Sequence, residues 1–598
     1  MQAQYKIDRL EPSFWWVGMK NPTLQLLVYG KNINQLNPQI NYPGVQIEQT
    51  IQVQNPNYLF INLHISPEAK AGKFLINFQK DGKNKLVYEY QLLTRKPGSS
   101  ERIGFKPSDV MYLITPDRFA NALPDNDSHP AMSEKLNRSF PGGRHGGDIQ
   151  GISDHLDYIK DMGFTAVWLN PVLENNQPEY SYHGYATTDF YKVDPRFGTN
   201  EDYRKLAELA QSKGIKMIMD MIANHCGSEH WWIKDLPTPD WINYKGQYHN
   251  TNHRRTIHQD PYVSSSDSQE FVDGWFVKTM PDMNQRNPLM ATYLIQNTIW
   301  WIEYVHLAGI RMDTYPYPDK DFMSEWTCKV LEEYPDFNIV GEEWTDNPAI
   351  VSFWQRGKVN ANGYTSCLPG LMDFPIQASV SRGLNNKEEH NSGFAEMYHM
   401  LSNDFLYPEP QNLVVFPDNH DMDRFFTQVK EDLGLFKLGI AYFLTIRGIP
   451  QIYYGTEILM VNKNPGDHSE IRTDFPGGWA GDAVNAFTGQ GLSPQQMEAR
   501  NFMKKLLNWR KNAQAIHQGK LMHFAPIDGV YVFFRYLDTQ KIMVILNKNT
   551  SAKTLNPARF QEILKGVSQG TDIISGQEIN LTQDIQLNPK TPLVIEIK

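Results

Sequence analysis

Cysteine is scarce in this sequence, and its scarcity excludes two ways of stabilising a fold. The chain of 598 residues has three cysteines, Cys226, Cys328 and Cys367. Such an odd and sparse set rules out a disulfide framework, although it leaves room for one incidental bridge. No pair has the spacing of metal ligands, so a structural zinc site is not expected.

The sequence also lacks long apolar runs and an excess of basic residues. No stretch of about 18 or more apolar residues is present, which argues against a transmembrane helix. The net charge of −10, without any basic run, argues against a nucleic acid or a membrane surface as partner. Residues 1–4 have neither the basic region nor the apolar core of a signal peptide. The chain is therefore either cytoplasmic or a mature form from which a signal has been removed.

Aromatic residues are abundant, at 12% with 14 Trp and 29 Tyr. Their rings stack on the apolar faces of sugars, but they are equally expected in a large core. Hydrophobic residues make up 40% and charged residues 21%, which is typical of a soluble globular protein. The length exceeds that of a single core, so we expect several domains.

The pattern of apolar runs divides the chain into three domains. Residues 1–105 contain short strands between turn residues and predict an N-terminal β-sandwich of the immunoglobulin type. Residues 106–515 alternate apolar strands with helices, which predicts a parallel sheet closed into a (β/α)8 TIM barrel. Residues 227–280 are too long for an ordinary connection, so we expect a small excursion domain after the third strand. Residues 516–598 predict a C-terminal β-sandwich.

Polar side chains follow four of the predicted barrel strands. The eight predicted strands are 110–115, 164–169, 215–221, 309–312, 338–341, 371–375, 412–416 and 449–453. Barrel enzymes place their active sites at the C-terminal ends of the strands. The third, fourth, fifth and seventh strands lead into the candidate site residues Asp220, His225, Arg311, Asp313, Glu342, His420 and Asp421.

Two of these strand ends predict acid chemistry. Arg311 and Asp313 are two residues apart on an extended segment, so both side chains point to the same face. A neighbouring guanidinium favours the ionised form of a carboxylate, which a nucleophile requires. Glycoside hydrolysis needs one ionised and one protonated carboxyl group, and Asp313 and Glu342 are the candidate pair, with Asp421 as a third acid. Any one of these acids alone is better interpreted as a surface or strand-end residue; four clusters in this order favour a catalytic site.

These four clusters resemble the four signature regions of the α-amylase family of glycoside hydrolases. Residues 163–171 and 448–457 match further segments of that family. The order of the domains is similar to that of the cyclomaltodextrinase/neopullulanase branch. Residues 11–19 and 474–482 resemble the bacterial periplasmic-type cyclomaltodextrinases, and we expect a periplasmic mature form rather than a cytoplasmic protein.

The resemblance implies a retaining hydrolase that cleaves α-1,4-glucosidic bonds of cyclomaltodextrins, pullulan and maltooligosaccharides by double displacement. Asp313 would be the nucleophile. Glu342 would be the acid/base, in preference to Glu343, because the family motif places the catalyst directly after Gly341. Asp421 would bind sugar hydroxyls in the transition state.

The resemblance also assigns substrate contacts. Arg311 would orient Asp313 and pair with Asp220. The remaining contacts are two histidines that bind hydroxyls of the reacting sugar, an aromatic platform under that sugar, and a histidine beside the platform: His225, His420, Tyr185 and His183. For Tyr185 and His183 alone, a buried position in the core is the alternative interpretation.

A structural calcium site is the one cofactor that the sequence suggests. Its candidate ligands form an oxygen-rich set that suits a hard cation: Asn121, Asn126, Asp127, Gly146 and Asp148. Related enzymes often have an acid or amide where this chain has Leu123, and Asp125 is the candidate substitute. The alternative interpretation of the segment is a polar turn.

Three further features bear on specificity. Neopullulanase-type enzymes tend to have Lys where this chain has Asp282, and the acidic form is usual in oligo-1,6-glucosidases, so cleavage of α-1,4 bonds alone or with some α-1,6 stays open. Trp231, Trp232 and Trp241 either stack on glucan or form the core of the excursion domain. Since adjacent residues on a strand cannot both face the substrate, we expect at least one of Trp231 and Trp232 in the core. The loosely spaced histidines are interpreted as loop residues and not as metal ligands: His249, His253 and His258.

Several alternatives to the hydrolase remain. A transglycosylase, an α-amylase or an oligo-1,6-glucosidase would use the same scaffold. A non-catalytic glucan-binding protein is disfavoured because all three acids are present, and an unrelated metal-dependent barrel enzyme ranks last. The expected partner is an α-glucan or cyclodextrin substrate. The oligomeric state, monomer or homodimer, stays open.

Overall fold

The computed structural model describes residues 5–597, and its first domain is a sandwich of two four-stranded sheets. The sheets have the orders β1-β3-β6-β5 and β2-β8-β7-β4. The strands are β1 Arg9–Glu11, β2 Trp15–Val17, β3 Thr23–Tyr29, β4 Asn37–Ile40, β5 Val45–Gln52, β6 Tyr58–Ile65, β7 Gly72–Lys80 and β8 Lys83–Thr94. The predicted N-terminal sandwich is confirmed.

The central domain is the predicted barrel. Its strands, with the antiparallel pair β11 and β12 beside them, are β9 Met111–Ile114, β10 Ala166–Leu169, β11 Leu173–Glu174, β12 Asp189–Val193, β13 Lys216–Met221, β14 Gly309–Met312, β15 Ile339–Gly341, β16 Gly370–Leu371, β17 Val414–Val415 and β18 Ile449–Tyr453. The parallel eight-stranded sheet has the order β16-β15-β14-β13-β10-β9-β18-β17. A parallel bridge between Met372 and Val414 joins its two edges and closes the barrel.

The helices of the chain lie mainly between the barrel strands. They are α1 Ile149–Asp154, α2 Leu156–Met162, α3 Asn200–Ser212, α4 Trp231–Lys234, α5 Ser265–Asp273, α6 Pro288–Val305, α7 Lys320–Glu333, α8 Pro348–Ser352, α9 Phe374–Asn385, α10 Phe394–Leu401, α11 Phe425–Gln428, α12 Leu433–Thr445, α13 His468–Ile471, α14 Pro494–Arg510, α15 Gln514–Gln518 and α16 Gln561–Leu564. The strands that they cover are buried on both faces, which explains the continuous apolar runs of the sequence.

The sixth barrel strand is shorter than predicted. Residues 371–375 were expected to be extended, but β16 ends at Leu371 and α9 begins at Phe374. Asp373 caps this helix by accepting a hydrogen bond from the Ile376 N–H, and Pro375 occupies the first turn, where its missing N–H costs nothing. The apolar run therefore covers a strand and a helix start.

The adjacent tryptophans of the excursion domain lie on a helix, so the premise that they share a strand is wrong. Trp231 and Trp232 open α4. Trp232 and Trp241 are fully buried, and their rings pack edge to face at 5.3 Å. Trp231 instead packs on Tyr29 and Tyr58 of the N-terminal domain. The expectation that at least one of the adjacent pair lies in the core is confirmed.

Asp235, just after α4, anchors the excursion domain to the N-terminal sandwich. Its carboxylate accepts hydrogen bonds from the Tyr29 hydroxyl at 3.1 Å and from the side-chain amides of Asn55 and Asn57 at 2.5 and 2.8 Å. The Tyr58 hydroxyl donates to its carbonyl oxygen at 2.5 Å. These hydrogen bonds join the excursion domain to the N-terminal sandwich.

The C-terminal domain contains a six-stranded sheet, β19-β20-β21-β26-β23-β24, and the pair β22-β25. Its strands are β19 Lys520–Ile527, β20 Val530–Leu537, β21 Gln540–Asn547, β22 Lys553–Leu555, β23 Gln569–Asp572, β24 Glu578–Asn580, β25 Ile585–Leu587 and β26 Thr591–Ile597. One face of this sheet packs on α12 and α15 of the barrel.

Two of the three cysteines form a disulfide. Cys328 on α7 is bonded to Cys367 in the segment before β16, and Cys226 is a buried free thiol. The bridge ties the helix after the fourth barrel strand to the approach to the sixth. Across residues 5–597, no helix is long and apolar enough to cross a membrane.

Candidate active site

A cavity of about 350 Å³ opens at the C-terminal ends of the barrel strands. Six of the predicted site residues line it: His183, Tyr185, His225, Asp313, Glu342 and Asp421. Asp220, Arg311 and His420 lie directly behind them and are fully buried. The structure therefore brings together all nine predicted catalytic and substrate-binding residues.

Arg311 on β14 connects three carboxyl groups. Its Nη1 donates to Asp220 Oδ1 at 2.8 Å and to Asp313 Oδ1 at 2.7 Å. Its Nη2 forms an ion pair with Glu342 Oε2 at 2.7 Å. One buried positive charge cannot balance three ionised acids, so the arrangement favours a proton on one of them.

Glu342 at the end of β15 is suited to carry such a proton. Burial, with the nearby charges of Asp313 and Asp421, raises its pKa to about 7 although Arg311 opposes the shift. A carboxyl group with this pKa is protonated in a substantial fraction of molecules at neutral pH and can donate its proton. Asp313, the other candidate, accepts a hydrogen bond from Arg311.

Thr314, which follows the nucleophile candidate, has an unusual backbone conformation. Its φ is +40°, a left-handed value that is an outlier for a β-branched residue. In this conformation its N–H donates to Glu342 Oε2 at 2.9 Å, and its hydroxyl donates to Asp313 Oδ2 at 3.1 Å. The strained residue thus orients both acids at once.

Asp421 is held as an anion by two neighbours, of which the sequence identified only His420. His420 Nε2 lies 2.9 Å from Asp421 Oδ2, and Arg472 Nη2 lies 2.5 Å from Oδ1. Burial alone would raise the pKa of Asp421, but His420 and Arg472 lower it well below the usual range. Burial lowers the pKa of His420 to about 4, so this imidazole is neutral at neutral pH.

Tyr185 forms one wall of the cavity and is fixed by three hydrogen bonds. Its hydroxyl donates to Asp220 Oδ2 at 2.9 Å, receives a bond from Asn170 at 2.9 Å and lies 2.7 Å from His420 Nε2. Its ring stacks on the imidazole of His420 with an interplanar angle of 7°. The exposed fraction of Tyr185 is 9%, so one ring edge or face is left to meet a ligand.

His183 and His225 are neutral polar groups in the cavity wall. Burial lowers the pKa of His183 to about 3 and also lowers the pKa of His225. His183 Nδ1 accepts a bond from the Tyr185 N–H at 2.9 Å, so its proton lies on Nε2. Neutral imidazoles suit hydrogen bonding to uncharged hydroxyls.

Nine lining residues were missed by the sequence reasoning: Arg255, Phe276, Met280, Thr314, Pro316, Tyr317, Trp344, His468 and Arg472. Three of them come from the excursion domain and two from the segment after β18. None directly follows an apolar strand run, apart from Thr314 and Trp344, which adjoin predicted catalytic positions. The sequence could have indicated Thr314 and Trp344, because each adjoins a predicted catalytic position. No pattern in the sequence points to the other lining residues.

Asp282 does not face the cavity. It is fully buried, pairs through its backbone with His225, and accepts a bond from Asn243 at 2.7 Å. Burial raises its pKa well above the usual range. Its negative charge is therefore suppressed, and any effect of Asp282 on specificity acts through the position of His225.

The candidate calcium ligands lie together near the N-terminus of α1. Asn121 and Asn126 each have a buried Oδ1 without a hydrogen-bond partner, and burial raises the pKa of Asp127 to about 6. A Cβ on Gly146 would lie 2.6 Å from Asp127 Oδ1, so the site requires glycine there. These orphaned oxygens beside a carboxylate fit a hard cation.

Two other positions at this site behave differently. Asp148 caps α1, and its carboxylate accepts from the N–H groups of Gly151, Ala122 and Leu123. Asp125 is exposed. Within the described residues, no group of three or more His, Cys, Asp or Glu side chains is arranged to hold a metal. His258 Nε2 donates to the Pro316 carbonyl oxygen at 2.8 Å, and His253 Nδ1 lies 3.2 Å from the Tyr317 hydroxyl.

Known protein families match all three domains of the chain. The family described as "Alpha amylase, catalytic domain" matches residues 113–518. "Cyclomaltodextrinase, N-terminal" matches residues 9–96, and "Cyclo-malto-dextrinase C-terminal domain" matches residues 521–596.

The individual relatives have low sequence identity to this chain, but the matches cover most of its length. A cyclomaltodextrinase of Thermoanaerobacter pseudethanolicus is 28% identical over 82% of this chain and 78% of its own length. Neopullulanase 2 of Thermoactinomyces vulgaris is 27% identical over 89% of this chain and 84% of its own. A β/α-amylase of Paenibacillus polymyxa is 28% identical over 80% of this chain, which spans only 37% of that longer protein.

A solved structure shares the fold. The α-amylase of Geobacillus thermoleovorans, complexed with acarbose, superposes with a TM-score of 0.67 at 27% sequence identity. The match covers 83% of this chain and 99% of that one.

Proposed function

The chain belongs to the α-amylase family of glycoside hydrolases, and from this premise we propose that it cleaves α-1,4-glucosidic bonds with retention of configuration. The observation that carries the proposal is the placement of Asp313 and Glu342 on one guanidinium, that of Arg311. A neighbouring guanidinium favours the ionised form of a carboxylate, and Glu342 has a pKa raised to about 7; the reaction needs one ionised and one protonated carboxyl group.

The chemistry proceeds in two displacements. Asp313 attacks the anomeric carbon while the bond to the departing sugar breaks, and Glu342 gives its proton to the departing oxygen. Glu342, now ionised, then takes a proton from water as the water oxygen attacks the anomeric carbon and releases Asp313. Asp421, kept ionised by Arg472, accepts hydrogen bonds from sugar hydroxyls, and Tyr185 supports the ring.

Cyclomaltodextrins, pullulan and short maltooligosaccharides are the proposed substrates. The support is the pair of cyclomaltodextrinase-type domains on both sides of the barrel. Initial rates and products with β-cyclodextrin, pullulan and soluble starch test this choice. Faster cleavage of β-cyclodextrin than of starch supports it, and the reverse order contradicts it. The first anomer released, followed by NMR, tests retention.

We also propose that the site of Asn121, Asn126, Asp127 and Gly146 holds a structural Ca²⁺. Their oxygens would bind the ion, and the ion would balance the buried Asp127 charge. Calcium analysis of the purified chain and thermal unfolding with and without chelator test this. Loss of the calcium-dependent increase in Tm in Asp127→Asn supports the site, and an unchanged increase contradicts it.

A periplasmic location remains our proposal. The Cys328–Cys367 bridge supports it, since structural disulfides persist in oxidising compartments. Cell fractionation locates the protein directly. The proposed oligomeric state is a monomer or a homodimer. Sedimentation velocity distinguishes the two.

A further inference from the structure

Two segments of the chain start at the catalytic cavity and run side by side. The Tyr185 segment, residues 185–189, begins at one ring of the cavity wall, and the His225 segment, residues 225–231, begins at one imidazole of the same wall. Neither Asp189 nor any residue of 226–231 is among the lining residues of the cavity. Both segments therefore lead from the site into the surrounding structure.

The two segments are bonded to each other. His225 Nε2 lies 3.2 Å from the Tyr185 carbonyl oxygen, to which it donates. The Gly227 N–H donates to the Thr187 carbonyl oxygen at 2.7 Å. A Cβ on Gly227 would lie 2.3 Å from the Ala186 carbonyl oxygen, so the close approach requires glycine. A shift of one segment is therefore passed on to the other.

Arg9, on β1 of the N-terminal sandwich, contacts both segments at their other ends. Its Nη1 donates to Asp189 Oδ2 at 2.7 Å, and its guanidinium lies over the Trp231 ring at 4.8 Å. Asp189 comes four positions after Tyr185, and Trp231 comes six positions after His225. One side chain from another domain thus joins the ends of the two segments.

The guanidinium of Arg9 is itself fixed in direction. Its Nη1 also donates to Glu11 Oε1 at 3.1 Å, and Glu11 Oε2 accepts from the Tyr293 hydroxyl of α6 at 2.7 Å. Glu11, Tyr293 and Asp189 are buried. The second oxygen of Asp189 accepts from the Tyr191 N–H at 3.0 Å. Arg9 therefore cannot shift without breaking several bonds.

Arg95 joins the same two domains without touching either segment. Its Nη1 donates to Glu333 at 2.6 Å and its Nη2 donates to Glu303 at 3.2 Å. These acids lie on α7 and α6, and across residues 5–597 the lining of the catalytic cavity includes no residue of these helices. Arg95 is therefore a matched control for an arginine that only holds the domains together.

We propose that Arg9 is a positioning residue that sets the separation of Tyr185 and His225 through the two segments. The N-terminal domain then contributes to catalysis within its own chain, although none of its residues lines the cavity. This inference rests on the proposed function, because that function assigns Tyr185 and His225 to contacts with the reacting sugar. Groups that hold a substrate act through exact placement, so small displacements lower the rate.

Steady-state kinetics with maltoheptaose compare Arg9→Met with Arg95→Met. Each change keeps the length of the side chain and removes the guanidinium. We expect Arg9→Met to lower kcat/KM roughly tenfold, since displacement of positioning groups by about 1 Å costs up to about 10²-fold. Arg95→Met should lower Tm and leave kcat/KM within about twofold. Arg9→Lys keeps the ion pair with Asp189 but loses the planar group that stacks on Trp231, so it should recover part of the activity.

A double-mutant cycle separates positioning from a general loss of folded protein. His225→Ala removes one of the groups that Arg9 positions, so in this background Arg9→Met should lower kcat/KM only about threefold. Fewer folded molecules would lower kcat/KM by the same factor in both backgrounds. Equal factors in the two backgrounds, or equal kcat/KM for Arg9→Met and Arg95→Met, would overturn the inference. If Arg9→Met does not fold, Arg9→Lys and Arg95→Lys take their places, with losses of about threefold and less than about twofold expected.

Binding measured without turnover distinguishes this inference from the proposed function. In a Glu342→Gln background, calorimetric titration with maltoheptaose should show roughly fivefold weaker binding with Arg9→Met and unchanged binding with Arg95→Met. If the wild-type chain hydrolyses maltoheptaose while these two variants bind it equally, the inference fails and the proposed function stands. If the wild-type chain hydrolyses no α-glucan but the Arg9-dependent binding persists, the proposed function fails and the positioning role stands.

Discussion

Arg311 Nη2 lies 2.7 Å from Glu342 Oε2, so the guanidinium that orients the nucleophile also contacts the acid. Arg311 would pull Glu342 toward its ionised form if it acted alone. Burial and the charges of Asp313 and Asp421 outweigh it and leave the pKa of Glu342 at about 7. The protonation of the acid is therefore set by a balance among three strand ends.

Substitution by Gln should strongly lower the activity at Glu342 and leave it nearly unchanged at the adjacent Glu343. Glu342→Gln removes the transferable proton, and we expect kcat to fall by about 10³-fold or more. Glu343→Gln should keep near-normal activity, because Glu343 is buried away from the cavity with a pKa raised to about 8 and accepts a bond from Trp354 that an amide oxygen also accepts. Steady-state rates on β-cyclodextrin measure both. If only the Glu343→Gln variant loses activity, the assignment of Glu342 as the acid/base is wrong.

Activity should decline on the alkaline side as Glu342 ionises. A general acid works only while protonated, so kcat/KM should fall as pH rises through about 7. Asp421→Asn removes a negative charge that raises this pKa, so the alkaline limb should move to lower pH. Asp267→Asn, at an exposed position on α5, is the control and should leave the limb in place. A limb that does not respond to Asp421→Asn argues that another group titrates.

The disulfide should contribute stability rather than activity. Replacing Cys328 and Cys367 by Ser opens a closed loop with a sequence separation of 39, which should lower the free energy of unfolding by about 2–4 kcal/mol. The activity of the folded variant should be retained, because neither cysteine lines the catalytic cavity. Urea unfolding measures the change in stability. Thiol titration of the wild-type chain in denaturant measures the pairing: we expect one thiol, that of Cys226, before reduction and three thiols after it. Three reactive thiols without reductant would contradict the pairing.

Asp235 should couple the N-terminal domain to the excursion domain. Asp235→Ala leaves the partly buried donors of Tyr29, Asn55 and Asn57 without their acceptor, at a cost of about 1–3 kcal/mol in unfolding free energy. Asp8→Ala removes only an exposed ion pair with Lys6 and should change stability by less than about 1 kcal/mol. Equal unfolding midpoints for the two variants would show that the Asp235 contacts do not stabilise the junction.

The amino-acid sequence by itself located the acids because they follow directly on apolar strands. Asp313 follows β14 and Glu342 follows β15, and a strand that ends in a barrel delivers the next side chain to the C-terminal rim. Barrel strands buried on both faces leave a continuous apolar signal, so most of them were predicted correctly. The sixth failed because the apolar run of residues 371–375 continues into a helix, and Trp231 and Trp232 failed as a strand because four residues carry too little periodicity.

Only the tertiary structure decided how these acids are tuned. Arg472, which holds Asp421 ionised, comes from a segment more than 50 positions away, and its distance of 2.5 Å depends on the packing of that segment over the barrel. The raised pKa of Glu342 likewise arises from burial and from charges on other strands. Neighbouring side chains that meet through folding leave no periodic trace in the chain, whereas residues at strand ends do.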